Sequence, residues 1–263
     1  MAISLHVGRG EHRGPLTVFP LWRRDSDGPD VALAQAGDVR VGELDQPSVP
    51  HLQVTPTGGH PVLLLDGDLL VGGLQNRVAF GSRLLPPGRP TVIDVRCVEQ
   101  ERWHGSATHA VGGRASTFVR ANPEQVEVWR RVDLERKRRQ HAPDVRGPQP
   151  FPGQSGVMIG IGGRPVLIEL FGTSAMLLAA WPRIIAAAAK EAAGRNDKPT
   201  AGWRARQFVS VIDTMRIARN ADQHAVATET GIAATSGPYE LRGIADGDRL
   251  LHASIINREA WSV

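Results

Sequence analysis

Between residues 61 and 104 the chain concentrates the side chains best suited to chemistry: PVLLLDGDLLVGGLQNRVAFGSRLLPPGRPTVIDVRCVEQERWH. Gln75, Asn76 and Arg77 are consecutive; Cys97, Glu99, Arg102 and Trp103 follow within one further segment. Arginine offers a planar fork of donors for phosphates and carboxylates. Tryptophan offers a stacking surface, and a carboxylate such as Asp68 or Glu99 can act as a base. Cys97 is the only cysteine, and with His104 it has the composition of a nucleophilic pair. A lone cysteine on an apolar strand face is equally a small buried hydrophobe. Thiolate reactivity needs an electropositive, accessible site, so the expectation is a structural, inert thiol. His104 and His109 lie five apart in a small, polar stretch, where surface histidines are the simpler reading than a metal pair.

Strands must hold these groups. Residues 62–65 form a continuous apolar run, as in a strand buried on both faces. Asp66-Gly67 suits a tight turn, which would return residues 69–71 antiparallel to that run. Gly72-Gly73 breaks the pattern. Residues 75–84 alternate, with Asn76, Val78, Phe80, Ser82 and Leu84 on one face and Arg77 and Arg83 on the other. Pro86-Pro87-Gly88 is a turn. Residues 91–99 alternate again, placing Ile93, Val95, Cys97 and Glu99 together. Glu99 thus falls at the edge of an apolar layer, where a carboxylate must be paired, hydrogen-bonded or neutralised, unless it reaches solvent. Arg102, Arg77 or Gln75 could satisfy it.

Several function classes are excluded by motif. The sequence GIGGRPV lacks the Lys-Ser/Thr of a phosphate-binding loop, and its glycines do not make a dinucleotide fingerprint. No HExxH and no GxSxG occur. A single cysteine excludes an intrachain disulfide and a cysteine-rich zinc site. No cofactor and no metal is expected. No apolar run approaches ~18 residues, and the first residues lack the apolar core of a signal peptide; a cytoplasmic protein with no membrane partner is expected. The net charge is +4, with arginine supplying most of the cations. Modest basicity suits anionic small molecules but gives no reason to expect nucleic acid. Self-association into a homo-oligomer is left open.

The remaining chain reads as follows. Residues 1–15 are loose. Residues 16–22, 39–44 and 52–55 are strands, and 31–36 a short helix capped by Asp30. Residues 105–116 are a loop. A helix near 123–139 opens on Asn122-Pro123 and ends in the basic run 136–139, a solvated helix end. Residues 141–155 are the best linker, being rich in Pro and Gly. Residues 157–161 and 165–171 form a hairpin in which Glu169 interrupts an apolar run. It is either on a solvent face or buried with a purpose. Helices are expected near 174–193 and 205–219, and final strands at 232–235, 239–244 and 249–256, the last with His252 inside an apolar run. The spacing of the early strands suits an antiparallel sandwich or barrel, and the fold class is α+β, mostly antiparallel, with a sandwich-like N-terminal part and helices and further strands in the C-terminal part. Residues 16–255 are expected to form one domain.

The segments LLLDGDLLVGGLQNR, LLPPG, VRCVEQERW, VLIELFG and GIAATSGPYELRGIADGDRLLHASI resemble the ARG and Rhodanese-Phosphatase-superfamily-associated Protein domain family. The likeness covers residues 16–130 and 156–255. The matching positions are Gly67, Asp68, Gly72, Gln75, Asn76, Arg77, Cys97, Glu99, Arg102 and Trp103. Leu69 and Leu74 stand where the family tends to carry an acid and a lysine. The resemblance implies processing or sensing of ADP-ribose or another NAD-derived nucleotide. On that reading Gln75, Asn76, Arg77, Arg102 and Trp103 bind the ligand, Arg77 and Arg102 holding its pyrophosphate and Trp103 stacking on a ring. Glu99 or Asp68 serves as base or ribose acceptor, and Cys97, Gly67 and Gly72 are structural. The other reading is a non-catalytic assembly domain whose polar cluster is a buried hydrogen-bond network.

Overall fold

The computed structural model describes residues 3–24, 30–35, 37–139, 147–220 and 229–261. The chain opens with β1 (Leu5–Val7), β2 (Glu11–Arg13) and β3 (Leu16–Arg23). Next come β4 (Ala32–Leu33), β5 (Val39–Gly42), β6 (His51–Pro56), β7 (Val62–Leu64) and β8 (Asp68–Gly72). They are followed by β9 (Arg77–Ala79), β10 (Arg83–Leu85), β11 (Thr91–Cys97) and β12 (Thr108–Arg114). Two helices, α1 (Thr117–Arg120) and α2 (Gln125–Arg139), lead to β13 (Gly156–Ile161) and β14 (Arg164–Phe171). Helices α3 (Ser174–Ala192) and α4 (Gly202–Thr214) precede β15 (Ala218–Asn220), β16 (Glu229–Ser236), β17 (Tyr239–Asp246) and β18 (Arg249–Asn257).

These elements form an α+β fold in two sheet systems. Six strands close a barrel in the order β11-β6-β5-β12-β8-β9. A nine-stranded sheet runs β1-β3-β13-β14-β18-β17-β16-β15, with β2 also on β3. A short third sheet, β10-β7-β4, lies beside them. In the large sheet the apolar runs of β13 and β14 are covered on both faces. Val157, Ile159 and Ile161 pack with the α3 residues Met176, Leu177, Ala180 and Ile184. Met158, Ile168 and Leu170 pack with the α4 residues Ala205, Phe208 and Ile212. Alternate residues of a strand point to opposite faces, so two helices on two faces require the near-continuous apolar runs seen in the sequence, which Glu169 alone interrupts between Val166 and Phe171.

The barrel is packed differently. Val41, Leu52, Val54, Leu70, Ala79, Ile93, Val95 and Val111 form one buried cluster from its six strands. Each occupies the inward position of its strand's alternation. Continuing that alternation outward on β9, β11 and β12 gives Arg77, Cys97 and His109. One end of the barrel is therefore closed by polar side chains on the same faces that carry the apolar core.

Several elements differ from expectation. Residues 31–36 hold a short strand, β4, which pairs in parallel with β7; Ala36 lies outside the described residues. Asp30 does not cap a helix but accepts a hydrogen bond from Thr173 Oγ1 at 2.9 Å. β7 and β8 are not a hairpin: β7 pairs with β10, and β8 with β12 and β9. The turn at Asp66-Gly67 instead passes the chain from the small sheet into the barrel. Gly81, at φ 92°, splits residues 75–84 into two strands in different sheets. Residues 108–114 are a barrel strand, not a loop. Residues 5–7 and 11–13, expected to be loose, pair with β3. The last helix ends at Thr214, earlier than expected, and β15 follows it. In the 141–155 segment, residues 141–146 lie outside the described residues, and Trp181 Nε1 donates to Pro148 O at 2.9 Å, tying the remainder to α3. None of the described helices is long and apolar enough to cross a membrane.

Candidate functional site

The polar end of the barrel brings together Gln75, Asn76, Arg77, Cys97, Glu99 and Arg102, as expected, and adds Glu43 and His109. Arg77 pairs in register with Cys97 on β11 and with Leu70 on β8. Its residue exposure is 0%. Its Nη1 donates to Gln75 Oε1 at 2.7 Å. Its Nε and Nη2, both buried, find no hydrogen-bond partner of good geometry among the described residues, although the Cys97 thiol lies beside the guanidinium. Those two atoms form one edge of the guanidinium, the edge that binds an acceptor pair in bidentate fashion. Trp103 lies over Arg77, 5.6 Å from ring centroid to guanidinium carbon, and is 46% exposed. Beside Arg77, His109 Nε2 meets Gln75 O at 3.1 Å, and Glu43 Oε1 accepts from Leu74 N at 3.3 Å. His109 Nδ1 and Glu43 Oε2 are buried and also lack partners among the described residues. Burial lowers the His109 pKa, so the ring is neutral near pH 7 with Nε2–H toward the Gln75 carbonyl and a lone pair on Nδ1.

Arg102 and Glu99 form the rim. Arg102 Nε donates to Glu99 Oε2 at 2.6 Å; its Nη1 donates to Gly73 O and His104 O, and its Nη2 to Gly72 O. Asn76 N donates to the same Glu99 oxygen at 2.9 Å. Burial alone would raise the Glu99 carboxyl, but the Asn76 amide and Arg102 outweigh it and hold it low. Glu99 is thus an ionised anchor rather than a poised base. Arg102 is a staple of the rim: its fork is used within the protein. Gly72 sits at φ 115°, where a Cβ would lie 2.9 Å from Thr108 O, so only glycine fits against β12 here. A cleft of about 370 Å³ opens next to the rim, where Arg102 and Arg136 stand with the carboxylates Glu99, Glu101 and Asp133 and with Trp129. Trp129 Nε1 has no partner among the described residues.

Cys97 is fully buried, and its Sγ donates to Glu99 O at 2.8 Å. Among the described residues, neither His104 nor any other histidine is bonded to it. The native thiol is expected to react with an aromatic disulfide reagent only as fast as the barrel opens; immediate stoichiometric labelling of the native protein would contradict this. Among the described residues no cluster of His, Cys, Asp or Glu is arranged to hold a metal.

Asp68 belongs elsewhere. It lies at the far end of β8, four residues from Gly72, or roughly 13 Å along the strand. Its Oδ1 accepts from Arg183 Nη1 at 3.1 Å and lies 3.8 Å from Arg114 Nη1. Burial raises its pKa despite these cations. Asp68 and Glu99 therefore cannot act on one bond. Around Asp68 is a second polar cluster, between the barrel and the large sheet. Glu169 is its centre: Oε1 accepts from Arg114 at 2.7 Å and Arg120 at 3.0 Å, and Oε2 meets His252 Nε2 at 2.7 Å and Ser254 Oγ at 2.9 Å. His252 Nδ1 lies 2.8 Å from Ser82 Oγ, which accepts from Asp66 N. Asp66 is 3.1 Å from Arg120. Serine, histidine and glutamate in series have the order of a nucleophilic relay, but all three are buried within a seam of ion pairs. The seam joins barrel to sheet. Gly67, at φ 90°, lets Arg120 pass: a Cβ there would lie 2.4 Å from Arg120 Cδ.

A polar-capped six-stranded barrel, joined by a buried ionic seam to a nine-stranded antiparallel sheet, defines an α+β protein with its candidate site at the barrel mouth. The chain belongs to the ARG and Rhodanese-Phosphatase-superfamily-associated Protein domain family, whose model matches residues 4–256. No curated protein and no solved structure matches the chain.

Proposed function

We propose that the barrel mouth binds ADP-ribose or another NAD-derived nucleotide, as a sensing or processing domain. One observation carries the reading: the buried, unpartnered Nε–Nη2 edge of Arg77 beneath the exposed ring of Trp103. A buried donor left without a partner costs about 1–3 kcal/mol, which a ligand offering acceptors would recover. The family name, with its link to ADP-ribosylglycohydrolases, supports the choice of ligand. Gln75 orients Arg77, Trp103 supplies a stacking face, and Asn76 and Arg102 hold the rim rather than touch the ligand. Glu99 is placed in the rim, and Asp68 in the seam.

A screen of NAD, ADP-ribose and plain nucleotides by thermal shift and calorimetry tests this, since a ligand of the native state raises the melting temperature. Arg77→Lys keeps the charge but not the fork and is expected to weaken binding by about 1.5–3 kcal/mol. No shift from any member at millimolar concentration sinks the proposal.

A second reading has its own observation. Arg102 is fully engaged by Glu99 and the backbone of residues 72, 73 and 104. That is the arrangement of a purely structural network, and it supports a non-catalytic assembly domain if the screen fails.

A further inference from the structure

The groups left without partners at the barrel mouth are of two kinds. Arg77 offers two donors, Nε and Nη2. Glu43 Oε2 and the His109 Nδ1 lone pair offer two acceptors. The charges cancel: Arg77 and Arg102 stand against Glu43 and Glu99, with His109 neutral. Glu43 Oε1 lies 3.7 Å from His109 Nε2, and its charge acts on Arg77. A pyrophosphate brings only acceptors and negative charge. It would satisfy Arg77 but turn its oxygens toward Glu43 and the His109 lone pair. Two like-charged groups brought together in a site of low polarity repel strongly. A neutral heteroaromatic edge or a carboxamide carries an acceptor and a donor side by side. It would satisfy Arg77 and Glu43 at once, and its flat ring would suit the face of Trp103.

Resting on the nucleotide reading above, we propose that the barrel mouth recognises the neutral ring end of the ligand, through an adjacent acceptor–donor pair, and not its pyrophosphate. The phosphates then lie outside the mouth, toward solvent. Adenine and nicotinamide both carry such an edge, so they are separated by experiment.

The test is competition on the full chain. Adenosine, nicotinamide, inorganic pyrophosphate and ribose 5-phosphate are each titrated by calorimetry, alone and against ADP-ribose and NAD. The expected result is that adenosine binds and displaces ADP-ribose, or that nicotinamide binds and displaces NAD, while the phosphate pieces displace neither. Which of the two rings binds identifies the source of the edge. Glu43→Gln, nearly isosteric, is expected to weaken the neutral ring about tenfold or more, the scale of one buried hydrogen bond to a charged group. If pyrophosphate competes and neither ring does, this inference falls while the nucleotide reading stands. If a ring binds but neither ADP-ribose nor NAD does, the nucleotide reading falls while the mouth's preference for a neutral acceptor–donor edge stands. If nothing binds, both fall. Ring binding that is unchanged in Glu43→Gln and Arg77→Lys also overturns the inference.

Discussion

Replacing Glu169 with glutamine is expected to cost about 3–5 kcal/mol of folding stability, the scale for removing one partner of a buried ion pair. Glu169 is 0% exposed and serves Arg114, Arg120, His252 and Ser254 at once. Glutamine keeps the shape but removes the carboxylate that Arg114 and Arg120 share, leaving only Asp68 and Asp66 beside them, and turns a donor toward one of them. The loss is large because a domain of this kind has only about 5–15 kcal/mol in total. Urea unfolding at pH 7 measures it. A loss under about 1 kcal/mol would show that the seam is not held by this carboxylate. The pH dependence has a definite sign. Burial would raise the Glu169 pKa, but Arg114, Arg120 and His252 hold it well below the ordinary value. A depressed folded pKa gives stability that is present above the unfolded value and lost as pH falls through the folded one. The wild type should therefore lose this contribution on acidification below about pH 4, and Glu169→Gln should lack that part of the loss.

Glu191 is expected to act in the opposite direction. It lies near the C-terminal end of α3 and is buried. Its Oε2 accepts from Thr117 N, at the start of α1, at 2.8 Å, and its Oε1 from Trp261 Nε1 at 2.7 Å. It therefore ties three distant segments together. Burial first, and then the neighbouring Glu135 of α2, push its pKa from 4.5 up to about 7; the Trp261 and Thr117 donors only partly offset this. A carboxyl whose folded pKa exceeds its unfolded one favours the fold while protonated. Stability therefore falls as pH rises from about 4.5 to about 7 and is level above that. A shift of roughly two and a half units corresponds to about 3 kcal/mol at most. Unfolding free energies at pH 5 and pH 8 should differ by about 2–3 kcal/mol more in the wild type than in Glu191→Gln. Parallel pH profiles for the two proteins would contradict the assignment.

What the sequence makes legible follows physical rules of short range. The runs of β13 and β14 read as strands because they are apolar on both faces but for Glu169, and two helices on two faces explain why. The alternation of residues 91–97 places Cys97 behind Ile93 and Val95, where it is found. Strand order is not local, and the errors lie there. The Asp66-Gly67 turn looks like a hairpin, yet its two strands enter different sheets. Glu169 and His252 each stand out as polar residues in apolar runs. Their meeting depends on β14 pairing with β18, and the bond from His252 to Ser82 spans 170 residues. His109 was hidden in a stretch rich in glycine and small residues. Its signal was its spacing of two from Val111, as Glu43 stands two beyond Val41. Arg102 shows the limit of residue type: an arginine suited to phosphate is, by its hydrogen bonds, a staple.

The most direct test of the central claim is a crystal structure of the full chain grown with millimolar ADP-ribose. The account predicts ligand density at the barrel mouth, with acceptor atoms on the Nε–Nη2 edge of Arg77 and a ring against Trp103. A ligand held instead in the seam around Glu169 and Asp68, or an Arg77 edge filled only by water at saturating ligand, would contradict it.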